Sequence, residues 1–303
     1  MSITTAKPDT TAPAPRRSGA KPARRRPRQA RELGSVIPMS TFMWLLAVLY
    51  AFPLVWFLLS AFKPGSELFQ YPLTFLPESP TVGGFEKAWD RFDFFLYFSN
   101  TLAVAVTTTV LTVFASAMCG YALAKYQDSR WIRVFFVCIL ATTMLPTEVI
   151  LSPTFIVIRD LGMYDTMAGL VVPSILTATG VFMFRQFFIS IPDDIIEAAR
   201  IDGAREVGIF FRIMLPMSRP IIMTLAIFSF QWRWNDYIWP LIVVGDERKF
   251  TLQIALRSIV GAENIDWPLL LAASVMSILP LVLIFIVFQK YVMNEDINAG
   301  LKD

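Results

Sequence analysis

Apolar residues occur in long blocks along this chain, and polar residues are concentrated in the short segments between the blocks. Several blocks run for about 20 residues almost without charge, the length that an α-helix needs to cross the hydrocarbon core of a bilayer. A large soluble core would instead mix apolar and polar positions at helical or strand periods. The pattern predicts an all-α integral membrane protein with six transmembrane helices, at about 41–62, 100–123, 132–152, 167–188, 221–244 and 269–292.

Composition agrees with this prediction and narrows the chemistry. Of the 303 residues, 55% are apolar and 17% are charged, a balance unusual for a soluble domain. The chain has no histidine, the commonest proton shuttle and metal ligand, and Cys119 and Cys138 both fall inside apolar runs. It also lacks a G-x-x-x-x-G-K-[ST] phosphate loop. We therefore expect no catalytic site, no metal site and no cofactor bound by this chain.

The basic residues are unevenly distributed between the segments that join the predicted spans. If the N-terminus lies inside, the inner segments hold 19 Lys and Arg and the outer segments hold seven, with Arg233 inside a span. The positive-inside rule then places both termini in the cytoplasm. Residues 1–36 are predicted to be a disordered basic tail that contacts anionic lipid rather than nucleic acid, and residues 37–303 to be the transmembrane domain.

The predicted inner segment between spans four and five, residues 189–220, is long and amphipathic. Pro192 followed by two aspartates predicts a helix start, and Gly203 permits a sharp reversal at positive φ. A second helical segment is predicted to present one apolar face made of Val207, Phe210, Phe211 and Met214, and to end at Leu215-Pro216. Amphipathicity alone leaves two alternatives open: a knob that fits a partner's groove, or a helix pair resting on the inner leaflet.

The spacing within this loop resembles a known signature. Glu197-Ala198-Ala199, three residues, Gly203, nine residues and then Ile213-Met214-Leu215-Pro216 is similar to the EAA-x3-G-x9-I-x-LP motif of permease subunits of bacterial ABC importers. Four other segments are similar to the carbohydrate-uptake branch of that family: Ser60–Lys63, Asn100–Leu102, Gly120–Lys125 and Trp234–Asp236. The six predicted spans resemble the MalG-type member of the permease pair.

This resemblance implies the transmembrane domain of a type I ABC importer, multi-pass in the bacterial inner membrane. In that family the loop forms coupling helices that dock on the ATPase, with Glu197 as the polar contact and Gly203 setting the interhelical angle. The implied ATPase-docking residues are Glu197, Ala198, Ala199, Asp202, Gly203, Ile213, Leu215 and Pro216. The implied partners are a second, MalF-like permease, two copies of an ATP-binding subunit that hold ATP and Mg, and a periplasmic or lipid-anchored solute-binding protein.

Span five carries the densest group of polar and aromatic residues within a predicted span: Gln231, Trp232, Arg233, Trp234, Asn235, Asp236 and Tyr237. Charges within a span are functional candidates, and aromatic faces with amide and acid groups suit sugar recognition. Alternatively, Arg233 pairs with Asp236 at i, i+3, and the tryptophans belong to the interfacial belt. Glu148, near the outer end of span three, is either a further wall of the substrate path or an interface carboxylate.

Three functions remain open from the sequence. The first is a permease that forms half of the pathway for a sugar or oligosaccharide. The second is the same architecture importing a glycerol phosphate ester, which a buried Arg233 guanidinium favours. The third is a transporter or channel driven by an ion gradient, which predicts ionisable residues at several midplane positions and leaves the loop signature unexplained.

Overall fold

A computed structural model describes residues 29–90 and 92–299, with side chains for 40–90 and 92–288. The tail predicted at 1–36 therefore lies mostly outside the described residues, as do the last four positions. The chain divides into two units, residues 1–54 and 55–303. In the first unit, residues 29–54 belong to helix α1 (Gln29–Ser60). The stretch Ser40–Ser60 is long and apolar enough to cross a membrane, and its side chains up to Leu54 are almost all exposed.

In the second unit, every regular element between residues 55 and 299 that the structure describes is helical. In chain order after α1 these helices are α2 (Gly65–Leu68), α3 (Gly83–Asp90), α4 (Phe94–Lys125), α5 (Arg130–Thr142), α6 (Thr147–Asp160), α7 (Met167–Val171), α8 (Ala178–Ile189), α9 (Asp193–Ile201), α10 (Glu206–Ile209), α11 (Leu215–Met217), α12 (Arg219–Trp234), α13 (Ile238–Val243), α14 (Leu252–Val260) and α15 (Trp267–Ala299). A π-helix, Phe210–Met214, joins α10 to α11, and 3₁₀ turns lie at Val172–Ser174 and Glu247–Lys249.

Three stretches of the described chain could each cross a membrane as one helix: Ser40–Ser60, all of α4, and Trp267–Phe288 of α15. They coincide with the predicted spans one, two and six. Three further candidates are helix pairs with a bend between them, so the described chain offers three to six spans by length and composition. The six predicted spans are compatible with this architecture.

The sequence predicts spans three, four and five as single helices, and the structure interrupts each of them. Between α5 and α6 the axis bends by 107°, and between α7 with its 3₁₀ turn and α8 by 42°. Pro146 precedes α6 and Pro173 lies in the 3₁₀ turn, and neither can donate the backbone hydrogen bond that would continue a helix. The third bent pair joins Glu206–Met217 to α12 with a bend of 75°, so it includes part of the 189–220 loop and differs from the predicted span five. Within that predicted span, 221–244, α12 ends at Trp234 and α13 begins at Ile238. The polar residues predicted inside span five therefore lie around an interruption.

Helix α4 is central to the second unit and packs against α8 and α12. Its contact with α8 is close, with a glycine on each helix facing the other helix. A Cβ on Gly120 would lie 2.6 Å from the Cβ of Phe184, and a Cβ on Gly180 would lie 2.5 Å from Oγ of Ser116. Small residues at helix interfaces let backbones approach in this way, so α4 and α8 are expected to move together.

The buried apolar side chains among the described residues form three clusters. One lies at the C-terminal end of α4 and includes Tyr121, Phe188, Phe210 and Met214. A second joins the N-terminal part of α4 to α12, α14 and α15, and a third joins α4 to α6, α7 and α13. The first cluster packs residues of the 189–220 loop directly against α4, which positions that loop at one end of the helix.

Candidate functional site

The 189–220 loop begins with α9, as its sequence predicts. Pro192 precedes the helix in an extended conformation, and Asp193 and Asp194 occupy the first turn, where acids stabilise the positive end of the helix dipole. The helix ends at Ile201, Asp202 is its C-cap, and Gly203 follows with φ of +81°. Only glycine adopts that conformation without strain, so the predicted reversal at Gly203 is present.

The prediction of which residues form the apolar face after this turn is wrong, because it assumed the period of an α-helix. Phe210 and Met214 are buried as expected, but Val207 and Phe211 are exposed, and Ile209 is buried instead. The reason is the π-helix at Phe210–Met214, in which each turn holds more residues than an α-turn. The buried positions are therefore 209, 210 and 214. In an α-helix these three side chains would be spread over a wider arc around the helix axis. Leu215-Pro216 also does not end the helix, which continues to Met217 before Ser218 closes it.

The predicted docking residues separate into an exposed and an inner group. Glu197, Ala198, Asp202, Gly203 and Pro216 are exposed, Ala199 is buried, and Ile213 and Leu215 pack partly buried against the cluster at the end of α4. Sequence reasoning missed one feature of this surface. Ile201 and Val207, on either side of the turn, are apolar side chains with 86% and 69% exposure. The sequence signal that could have predicted this feature is the position of these two apolar residues on either side of Gly203.

The inner side of the loop is joined to α4 by a polar cluster that the sequence did not predict. Oε2 of Glu206 lies 2.5 Å from Nζ of Lys125 and accepts a hydrogen bond from the Tyr121 hydroxyl at 3.3 Å, both on α4. Oε1 accepts a hydrogen bond from Nε of Arg200, on α9, at 3.1 Å. The hydrogen bond from Lys125, which outweighs the effect of partial burial, lowers the pKa of Glu206. Glu206 is thus an ionised bridge between three elements.

A second cluster of polar side chains lies at the C-terminal end of α12. Nη1 of Arg233 is 2.9 Å from Oδ2 of Asp236, so the ion pair considered from the i, i+3 spacing is present. The same Nη1 donates to Oγ of Ser174 at 2.9 Å, and the Ser174 carbonyl accepts from the Thr112 hydroxyl at 2.8 Å. The break after α7 is therefore connected to both α4 and α12 by hydrogen bonds.

The remaining substrate-path candidates are dispersed around this pair. Trp234 is buried to 1% exposure and its indole N–H donates to the Ser277 carbonyl at 3.0 Å. Gln231, Trp232 and Asn235 are exposed, and Tyr237 is partly buried. Glu148 is exposed in the first turn of α6. Arg233, Asp236 and Ser174 are thus the polar side chains that the structure brings into contact here.

A cavity of about 280 Å³ lies between α4 and the α7 region. Its lining consists of Ala103, Val104, Thr107, Leu111, Met167, Ala168, Val171, Val172 and Ile175. Only one of these side chains carries a hydrogen-bonding group, whereas a sugar needs paired partners for many hydroxyls. This cavity is therefore suited to an apolar group rather than to a sugar.

At the opposite end of α4 from Lys125, hydrogen bonds hold the segment that follows α13. Oδ1 of Asp165 accepts from the amides of Gly245 and Asp246, and Oδ2 lies 2.7 Å from Nζ of Lys249. The hydrogen bond from Lys249, with the two amides, lowers the pKa of Asp165 to about 2. Asn100, at the start of the predicted span two, donates to the carbonyls of Arg248 and Phe250. This segment is therefore fixed from two sides.

Comparison with known proteins identifies the class to which this architecture belongs. Residues 116–294 match the family described as the inner membrane component of binding-protein-dependent transport systems, and the chain belongs to that family. A solved structure of a bacterial ABC transporter involved in the import of the acidic polysaccharide alginate aligns with a TM-score of 0.77 and 26% identity, over 87% of this chain and 98% of that one.

Two relatives show the same relationship in sequence. The arabinooligosaccharides transport system permease protein AraQ of Bacillus subtilis is 37% identical over 270 residues, which cover 88% of this chain and 95% of that protein. The sn-glycerol-3-phosphate transport system permease protein UgpE of Pectobacterium atrosepticum is 34% identical over 255 residues, covering 82% and 90%. The chain is therefore a permease component of an ABC import system, as the loop signature implied.

Proposed function

We propose that this chain forms half of the translocation pathway for a sugar or oligosaccharide in an ATP-driven importer. It crosses the bacterial inner membrane six times, with both termini in the cytoplasm. The bent pairs α5–α6 and α7–α8 supply spans three and four, and α12 with α13 supplies span five. The excess of basic residues in the predicted inner segments supports the orientation. The 189–220 loop is then cytoplasmic, and the segment held by Asp165 faces outward.

The 189–220 loop docks on the ATP-binding subunit of the importer. The observation that supports this role is the shape of the loop: two short helices meet at Gly203, with Glu197, Ala198 and Asp202 exposed and Ala199 turned inward. The exposed apolar side chains of Ile201 and Val207, on either side of that turn, fit a protein groove, because a partner that covers them removes apolar surface from water. The inner side of the loop is already packed on α4.

The complete importer contains other subunits. A second, MalF-like permease completes the pathway, and two copies of an ATP-binding subunit hold ATP and Mg. A periplasmic or lipid-anchored solute-binding protein delivers the substrate, which agrees with the binding-protein-dependent systems to which the family belongs. This chain hydrolyses no ATP and instead changes conformation when the ATPase subunits close, a rigid-body type of transition.

The docking role is tested by Glu197→Lys and Gly203→Pro. Both variants are expected to reach the membrane but to lose ATP-dependent uptake, because the first reverses a docking charge and the second cannot adopt φ of +81°. Asp128→Asn, at an exposed position after α4, is the matched control. Normal uptake by both variants would refute the docking role. Uptake that persists after ATP depletion, with the membrane potential intact, would instead support an ion-driven transporter.

A glycerol phosphate ester is the second candidate substrate, since one relative is a permease of an sn-glycerol-3-phosphate system. Arg233 favoured it from sequence, but the guanidinium is already paired with Asp236 and hydrogen-bonded to Ser174. A neutralised pair offers little net charge to a phosphate, whereas its polar edges suit hydroxyl groups. We therefore favour the sugar. Competition between arabino-oligosaccharides and glycerol 3-phosphate for the cognate solute-binding protein separates the two candidates.

A further inference from the structure

The Glu206 cluster has a geometry that goes beyond docking. Its carboxylate lies on α10, after the Gly203 turn, and contacts Arg200 of α9, before the turn. The same carboxylate contacts Lys125 and Tyr121, which lie one helical turn apart at the end of α4. One side chain therefore holds both arms of the loop to a helix that runs through the second unit.

Aromatic side chains pack around this polar cluster and connect it to the π-helix and to α8. The Tyr121 ring contacts Phe210 of the π-helix, with centroids 5.4 Å apart, and Phe188 at the end of α8, 5.7 Å away. Lys125 is nearly buried, with 16% of its side chain exposed, so its ammonium has few alternative partners. Glu206 itself is 44% exposed. Because exposed ion pairs contribute little to stability, the cluster is better suited to fixing the position of the loop than to holding the fold together.

We propose that Glu206 is the positioning residue that transmits movement of the 189–220 loop to α4. This inference rests on the proposed function, because it assigns the next step after the ATPase has displaced the loop. When the loop moves, the Glu206 carboxylate carries the Lys125 end of α4 with it. Since α4 packs on α8 through Gly120 and Gly180, and on α12, the displacement reaches the helices around Arg233 as one rigid movement.

The variant Glu206→Gln removes the charge while keeping the size of the side chain. We expect the ATPase subunits to co-purify with this variant as they do with the unmodified chain. The stimulation of ATP hydrolysis by the loaded solute-binding protein, and the sugar imported per ATP, should fall at least about fivefold, the lower end of typical coupling between sites. Asp128→Asn removes a nearby exposed carboxylate and should leave both quantities unchanged.

Lys125→Gln provides a second route to the same result. Because both residues act through one ion pair, the double variant should be no worse than either single variant. If Glu206→Gln does not accumulate in the membrane, Lys125→Gln carries the test alone. Losses that add in the double variant would overturn the inference, as would loss of the bound ATPase subunits, because Glu206 would then build the docking surface.

A distance measurement separates this inference from the identity of the substrate. Spin labels at Asp194→Cys on α9 and Val110→Cys on α4, with Cys119 and Cys138 replaced by alanine, report the two elements directly. Upon addition of a non-hydrolysable ATP analogue, their separation should stay constant with Glu206 present and change by several ångströms in Glu206→Gln. A change with Glu206 present would overturn the inference. Absence of ATP-dependent uptake by the unmodified complex for every sugar tried, with the distance behaviour intact, would instead count against the proposed sugar function.

Discussion

The Asp165 carboxylate lies 2.7 Å from the Lys249 ammonium, and this ion pair joins positions 84 residues apart in the chain. Asp165 adopts φ of +56°, uncommon for a non-glycine residue, and its own N–H donates to the Val243 carbonyl. The carboxylate therefore faces the segment after α13, where it accepts two backbone amides as well. The segment depends on a single side chain for these contacts.

This arrangement predicts a dependence of stability on pH. The pKa of Asp165 is about 2 in the folded protein, below the value of the free side chain. The stabilisation is therefore fully present above about pH 4 and is lost as the pH falls toward 2. Asp165→Asn should lower the melting temperature at pH 6, and the difference from the unmodified protein should shrink between about pH 4 and 2. Glu247→Gln, an exposed neighbour, is the control, and a difference that does not change with pH would contradict the assignment.

The contact between α4 and α8 predicts an unequal response at two glycines. Gly120→Ala places a Cβ 2.6 Å from the Cβ of Phe184 and 2.9 Å from the backbone nitrogen of Arg185, so the helices must separate. We expect a loss of about 1–3 kcal/mol, as for other overpacked sites. At Gly208 a Cβ would meet no atom within 4 Å, and alanine there should be neutral or stabilising by about 0.5–1 kcal/mol. Thermal unfolding of both variants in detergent checks the pair, and equal losses would contradict the close contact.

Much of the fold could be predicted because its determinants are local. The long uncharged blocks predicted the membrane-spanning parts of α1, α4 and α15. Asp202-Gly203 predicted the turn of the loop because a positive φ favours glycine. The interruptions were harder to place. Pro146 and Pro173 fall inside the predicted spans three and four, but a bend of 107° or 42° depends on the packing around each proline, which a single sequence does not contain.

The polar contacts of the candidate site could be predicted only where the partners are close in sequence. The Arg233–Asp236 pair followed from its i, i+3 spacing, whereas the Glu206–Lys125 pair joins residues that only the tertiary fold brings together. The apolar face after Gly203 was misassigned because the prediction used 3.6 residues per turn, and the π-helix at Phe210–Met214 changes that period. The roles assigned to the docking and substrate-path residues remain predictions.

The turn at Gly203 predicts that side chains there differ in effect according to their tolerance of positive φ. Gly203→Val should destabilise the loop by about 1–2 kcal/mol, the cost of a left-handed conformation for a β-branched residue. Gly203→Asn should cost less, since asparagine adopts this region more readily. Because no atom lies within 4 Å of the added Cβ, the comparison measures backbone strain alone. Co-purification of the ATPase subunits with each variant provides the measurement, and equal losses would contradict backbone strain as the cause.

The Arg233–Asp236 pair predicts non-additive losses. Arg233→Ala leaves the partly buried Asp236 carboxylate without its cation and removes the donor to Ser174, so we expect a loss of about 1–3 kcal/mol. Asp236→Ala should cost a similar amount, while the double variant should cost less than the sum. Ser174→Ala, which leaves the ion pair intact, is the milder control. Additive losses in unfolding experiments would show that the two side chains act separately.

The hydrogen bonds of Thr101 predict that two similar substitutions at this position differ in their effect on stability. Its hydroxyl donates to the Tyr97 carbonyl and accepts from the amide of Leu252 at 2.7 Å, and both Thr101 and Leu252 are buried. Thr101→Val keeps the shape but leaves the Leu252 N–H without its acceptor, at a cost of about 1–3 kcal/mol. Thr101→Ser keeps the hydroxyl and loses only a methyl group, so it should cost about 1 kcal/mol. Hydrogen exchange at the Leu252 amide should accelerate in the valine variant and stay near its original rate in the serine variant. Faster exchange in the serine variant than in the valine variant would show that packing, rather than this hydrogen bond, holds α14 against α4.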